Sequence, residues 1–191
     1  MIAKEISLLL ISGWIILIST PAGRMQWIFY EHTFFNTIYE GMSQYIFKQV
    51  EQCHQIDYGL AGKVSSLQFA GNGESYKMSS LTIYKGVNFQ GSFESGQAYT
   101  EGEIPEVQLK TQMSLILTGN LPFEIYAEPN YEGGSFCLIP PPSPYLNPLA
   151  IEDLWGASIA YDSIRSVKIG CLDIDPSDAY LRAFFRLISR R

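Results

Sequence analysis

Three stretches of this chain share one pattern, and the pattern restricts what the chain can fold into. They are WIFYEHTFFNT from Trp27, LTIYKGVNFQG from Leu81 and FEIYAEPNYEG from Phe123. In each, an alternating strand-like run ends in a tyrosine, an aromatic follows five residues later, and two residues beyond stands Gly91, Gly133 or, in the first copy, Thr37. Between the two aromatics the composition is that of a tight turn, as in Pro129-Asn130. Each copy also closes alike, with KVSSLQFAG, TQMSLILTG and SIRSVKIG, short β-type runs around Ser66, Ser114 and Ser166 that end in glycine. A motif repeated in register is one supersecondary unit used three times. An opening strand, a folded hairpin, a variable middle and a closing strand make one four-stranded Greek key.

These residues resemble the βγ-crystallin Greek key, Tyr-x4-Phe/Tyr-x-Gly with a serine on the closing strand, over roughly residues 27 to 171. The matches are Tyr30 and Phe35 in the first copy, Tyr84, Phe89, Gly91 and Ser114 in the second, and Tyr126, Tyr131, Gly133 and Ser166 in the third. Trp155-Gly156, ahead of the third closing strand, is similar to the family as well. The resemblance implies that the glycine permits the folded hairpin and that the serine hydroxyl ties it to the closing strand. Thr37 departs from the pattern, because a β-branched residue is costly wherever φ must be positive. The expected fold is all-β, a βγ-crystallin-like Greek-key β-sandwich, with a short C-terminal α-helix.

The junction between the second and third copies is only Asn120-Leu121. A single Greek key cannot bury its apolar face alone, so residues 81–171 are expected to form one paired domain. That leaves the degenerate repeat, 27–71, without a partner. It is expected to dock on its neighbour, to form a homodimer, or to be covered by the N-terminal apolar segment; otherwise its open strand edge invites aggregation.

Residues 1–22 read as a signal peptide. Lys4 precedes an apolar run from Ile6 to Ile18, and Thr20-Pro21-Ala22 suits cleavage. The run is shorter than the ~20 residues of a spanning helix. The chain is therefore expected to be secreted, with a retained membrane anchor and a folded hydrophobic segment as the alternatives for this stretch. Of Cys53, Cys137 and Cys171, the last two are able to bridge within the third repeat, although sequence alone leaves the connectivity open. At the other end, 172–191 have helical spacing after Pro176-Ser177-Asp178. Tyr180, Phe184 and Ile188 share one face, and Arg182, Arg186 and Arg190 recur on another, a pattern suited to packing on the sandwich or to a membrane or protein partner.

The net charge of −6 gives a nucleic-acid partner no electrostatic support. There is no Gly-x-Ser-x-Gly elbow, no phosphate-binding glycine loop and no zinc-like spacing. His32 reads as a surface turn residue, and the adjacency of Cys53 and His54 does not orient a catalytic pair. No enzymatic activity and no cofactor are expected.

Calcium is the open question, since the resembled family binds it through two Asn/Asp, two variable residues, then Ser/Thr and Ser. In this chain Leu109-Lys110 and Ala61-Gly62 stand at the acidic positions, Met113 and Arg165 replace two hydroxyls, and only Asp162 and Ser65 keep their oxygens. Calcium needs several hard oxygen ligands. Any surviving site is expected to be weak and to use Asp162 or Ser65, with Arg165 free to pair with Asp162. The reading is a non-enzymatic structural or interaction protein. A calcium-binding extracellular module and a membrane-active, toxin-like protein are the alternatives.

Overall fold

In a computed structural model, residues 7–11, 14–18, 24–49, 54–73, 75, 77–91, 97–142 and 146–171 are described. The predicted C-terminal helix lies outside them. The described residues are all-β, in antiparallel strands. The second repeat supplies β7 (Ser80–Tyr84), β8 (Gln97–Thr100) and β9 (Ser114–Thr118), and the third supplies β10 (Phe123–Tyr126), β11 (Ser135–Leu138), β12 (Leu149–Ile151) and β13 (Ser166–Ile169).

The two repeats exchange their third segments. Strand β12 leaves its own repeat to pair with β9, giving the order β12-β9-β7-β8. In return Ile104 of the second repeat bridges Val167 of β13, beside the sheet β11-β10-β13. Between the sheets lies one core: Leu81, Ile83, Leu115 and Leu117 from one side, Phe123, Ile125, Leu138 and Val167 from the other, with Val107, Leu154, Ile159 and Ile164 closing it. Burying a side chain of this size contributes about 1.5–3 kcal/mol.

The first repeat forms the sheet β4-β3-β6, from β3 (Arg24–Tyr30), β4 (Ser43–Gln49) and β6 (Ser66–Phe69). Successive side chains of a strand point to opposite faces, and β3 uses both. Ile28 and Tyr30 pack with Ala70 onto Tyr84, Phe89 and Ile116 of the second repeat. Phe29, on the other face, packs with Ile46, Ile56 and Leu60. The degenerate repeat thus docks on its neighbour, the first of the expected solutions. The contact explains why every residue of β7 and β9 is buried. Polar bonds cross it: Tyr30 Oη donates to the Phe89 carbonyl at 2.6 Å, Ser43 Oγ to that of Asn88 at 2.6 Å, and Gln90 Nε2 to that of Gly41 at 3.0 Å.

The residues read as a leader have a place in this uncleaved chain. Strands β1 (Ser7–Ile11) and β2 (Trp14–Ile18) form an antiparallel hairpin. Strand β2 also pairs with β5 (His54–Gln55) of the first repeat, Trp14 opposite Gln55 and Ile15 opposite His54. The hairpin thereby receives the third segment of the first repeat, as β9 receives β12. Removing residues 1–23 strips β5 of this pairing, and the truncated chain is expected to melt several degrees below the full one. A truncated chain that melts no lower would deny the hairpin a part in the fold.

Candidate functional site: the closing-strand junctions

The three serines of the repeat perform one task. The hairpin aromatic sits in left-handed backbone, with φ of 57° at Phe35, 61° at Phe89 and 66° at Tyr131. Its N–H then points at the closing strand and donates to serine Oγ: Phe35 to Ser66 at 3.1 Å, Phe89 to Ser114 at 3.0 Å and Tyr131 to Ser166 at 2.9 Å. Each hydroxyl donates in turn to a carbonyl at the mouth of the hairpin, His32, Gly86 or Glu128, at 2.6 Å in all three. The residue before each serine, Ser65, Met113 or Arg165, donates its N–H to the carbonyl of Tyr30, Tyr84 or Tyr126.

Thr37 does not enter left-handed space. Its φ is −72°, and Asn36 (φ 56°) carries the turn instead, after Phe34 and Phe35. Asparagine tolerates this region better than a β-branched residue. Its side chain also accepts the His32 N–H at 2.9 Å and donates to the Met42 carbonyl at 3.0 Å. Gly91 and Gly133 keep positive φ, 138° and 77°. Edge-to-face ring pairs fill the hairpins: Tyr30 with Phe35, Tyr84 with Phe89, and Tyr126 with Tyr131. Burial pushes the phenols of Tyr30, Tyr45 and Tyr84 well above the ordinary tyrosine range, so they remain neutral hydroxyls.

The structure does not bring Asp162 and Ser65 to a common site. Ser65 is exposed on the first repeat, and its hydroxyl donates to the Lys63 carbonyl at 3.1 Å. Asp162, at φ 59°, accepts the Gln112 N–H on Oδ1 at 2.8 Å. Arg165, expected to pair with Asp162, makes no ion pair among the described residues. Among those residues, too, no three His, Cys, Asp or Glu gather as metal ligands.

Gln112 is the residue that sequence reasoning missed. Its side chain is wholly buried where the second and third closing segments meet. Nε2 donates to the Leu109 carbonyl at 2.8 Å and to that of Ile164 at 2.7 Å, while Oε1 accepts the Ile164 N–H at 2.8 Å. Those partners fix the orientation of the amide, with carbonyls on the nitrogen side and an N–H on the oxygen side. Aligned on the serines, the three closing segments put Val64, Gln112 and Ile164 at one position. The first and last are apolar and packed in their cores; a glutamine there is the signal that was available.

The calcium that the resemblance implies does not fit this junction. The carbonyls of Leu109 and Ile164 face amide hydrogens, Asp162 Oδ1 is taken by the Gln112 N–H, and the Met113 carbonyl accepts the Leu154 N–H at 2.8 Å. Met113 and Arg165 bring no oxygen from their side chains.

Elsewhere, a pocket of about 170 Å³ is lined by Ile125, Tyr126, Ser135, Phe136, Ser158 and Ser163 among others, none of them charged. That is below the ~300–1,000 Å³ usual for small-molecule sites. Beside it the buried carboxylate of Glu124 accepts from Tyr126 Oη and Ser135 Oγ, each at 2.7 Å. Desolvation, then the Glu124 carboxylate, push the Tyr126 phenol up to about 12. Cys137 and Cys171 form a disulfide. Cys53 and the tail residues Tyr180, Arg182, Phe184, Arg186, Ile188 and Arg190 lie outside the described residues.

No family model matches the chain, and no curated protein matches it. Among solved structures, Geodin, a βγ-crystallin from Geodia cydonium, superposes with a TM-score of 0.57 at 17% identity, over 81% of this chain and 81% of that one. A βγ-crystallin from an archaeon aligns with 47% of this chain and 95% of its own at 20% identity, and its TM-score of 0.37 adds no weight. With the repeated hairpins, the serine ties and the exchanged strands, the likeness to Geodin shows that this chain has a βγ-crystallin-like Greek-key fold.

Proposed function

We propose that this protein is a non-enzymatic structural or interaction module that keeps its shape without calcium and works in an extracellular, oxidising compartment. The observation that carries the reading is the use made of the polar groups. The serines of all three repeats, the Asp162 carboxylate and the Gln112 amide each bond within the framework that fixes the hairpins and closing strands. The Cys137–Cys171 disulfide supports the compartment, because such bonds persist where thiols are not kept reduced.

A thermal melt of the full chain in excess calcium and in chelator tests this. A ligand that binds only the folded state at 100 times its dissociation constant adds about 2.7 kcal/mol, which shifts a chain of this size by several degrees. Coincident melts are expected. A clear rise in calcium would replace this reading with that of a calcium-binding module.

A further inference from the structure

The calcium-free reading leaves a physical question at the junction of the second and third repeats, and the answer rests on that reading. Two backbone carbonyls from different repeats, Leu109 and Ile164, converge on one buried point. Oxygens so placed need positive charge or hydrogen-bond donors between them, because a buried acceptor without a partner is costly. We propose that the Gln112 amide stands where a cation would otherwise bridge these oxygens, as a metal-free clasp built into the chain.

Three observations converge on this. The Gln112 nitrogen lies 2.8 and 2.7 Å from one carbonyl of each repeat, so its two hydrogens span the junction. The oxygen of the same amide takes the Ile164 N–H at 2.8 Å, so the side chain holds both polar groups of the residue at its own position in the neighbouring repeat. A bare cation could satisfy only the carbonyls. Finally, the only backbone N–H that Gln112 has is bonded to Asp162 Oδ1 at 2.8 Å, which draws the remaining acidic side chain of the resembled signature into the same clasp. Three of the four hydrogen bonds open to a glutamine side chain are thus made, the two to Ile164 fully buried and the one to Leu109 partly so.

The substitution that isolates this role is Gln112→Glu, which keeps the shape and exchanges the two-hydrogen donor for an oxygen. In chelator at neutral pH, the carboxylate of this variant would set its lone pairs against the carbonyls of Leu109 and Ile164, and the protein is expected to melt several degrees below the wild type. The change would also gather carboxylate and carbonyl oxygens at one point, a set suited to calcium. Millimolar calcium is therefore expected to restore most of the loss, and to leave wild type unmoved. A Gln112→Glu protein that melts with the wild type in chelator, or that does not respond to calcium, would overturn the proposal. Should that variant not fold in chelator, Gln112→Leu supplies the reading: it fills the space without polar atoms and is expected to melt lower than wild type in both buffers, whereas equal melting would overturn the clasp. A calcium response by the wild type itself is a different outcome, which sinks the functional reading above.

Discussion

Phe89→Ala is expected to lower stability by about 3–5 kcal/mol, as truncation of a buried aromatic does, and to loosen the first repeat as well as the second. Phe89 is 2% exposed. Although it belongs to the hairpin of the second repeat, its ring meets Tyr84 of that repeat at 5.7 Å and Tyr45 of the first at 5.6 Å, both edge to face. Such pairs contribute about 0.5–1.5 kcal/mol beyond burial. Alanine would leave a void shared by two repeats, beside the rings of Tyr45 and Tyr84. Equilibrium urea unfolding measures the loss, and amide hydrogen exchange in β4 measures the loosening. A loss under about 1 kcal/mol, with β4 exchange unchanged, would mean that Phe89 is not the joint between the repeats.

Ser114→Ala removes little volume yet is expected to cost about 2–4 kcal/mol, because it strands two backbone groups at once. The Phe89 N–H loses its acceptor and the Gly86 carbonyl its donor. The Phe89 N–H is aimed by left-handed backbone that an aromatic adopts only when its surroundings enforce it. Ser114 is completely buried, whereas Ser66 is partly exposed, so water relieves the stranded groups in the first repeat more readily. Urea midpoints of the two alanine variants should therefore differ, with Ser66→Ala the milder. Equal small losses in both would show that the tie decides shape without contributing stability.

What the sequence made legible was whatever recurs locally. The spacing from Tyr84 to Phe89 and on to Gly91 reports a folded hairpin because its cause, left-handed backbone held by a serine, lies within one repeat. The union of the second and third repeats followed from the two-residue junction between them. Less legible was anything set by a neighbouring layer. Ser80, Thr82 and Tyr84 alternate with Leu81 and Ile83, as in a strand with one wet face, yet all are buried because the first repeat covers them.

The apolar run from Ile6 to Ile18 suits a leader and a strand hairpin alike, and the pairing of β2 with β5 is a long-range property that local spacing does not report. Gln112 escaped because the resembled pattern treats its position as variable. Its role appears only when Ile164, distant in sequence, is brought within hydrogen-bond reach.

The exchange of third segments bears on how the chain can be made. During synthesis β7 and β9 emerge first, but the edge neighbour of β9 is β12, which belongs to the following repeat. Ile104 likewise waits for Val167, near the end of the described chain. Neither repeat can finish before the other, so the ribosome must release nearly the whole of both before either is complete. Domains that fold as they appear shed their exposed edges early; here the unfinished sheet of the second repeat stays open through translation of the third, and that interval is when a nascent chain most needs a chaperone.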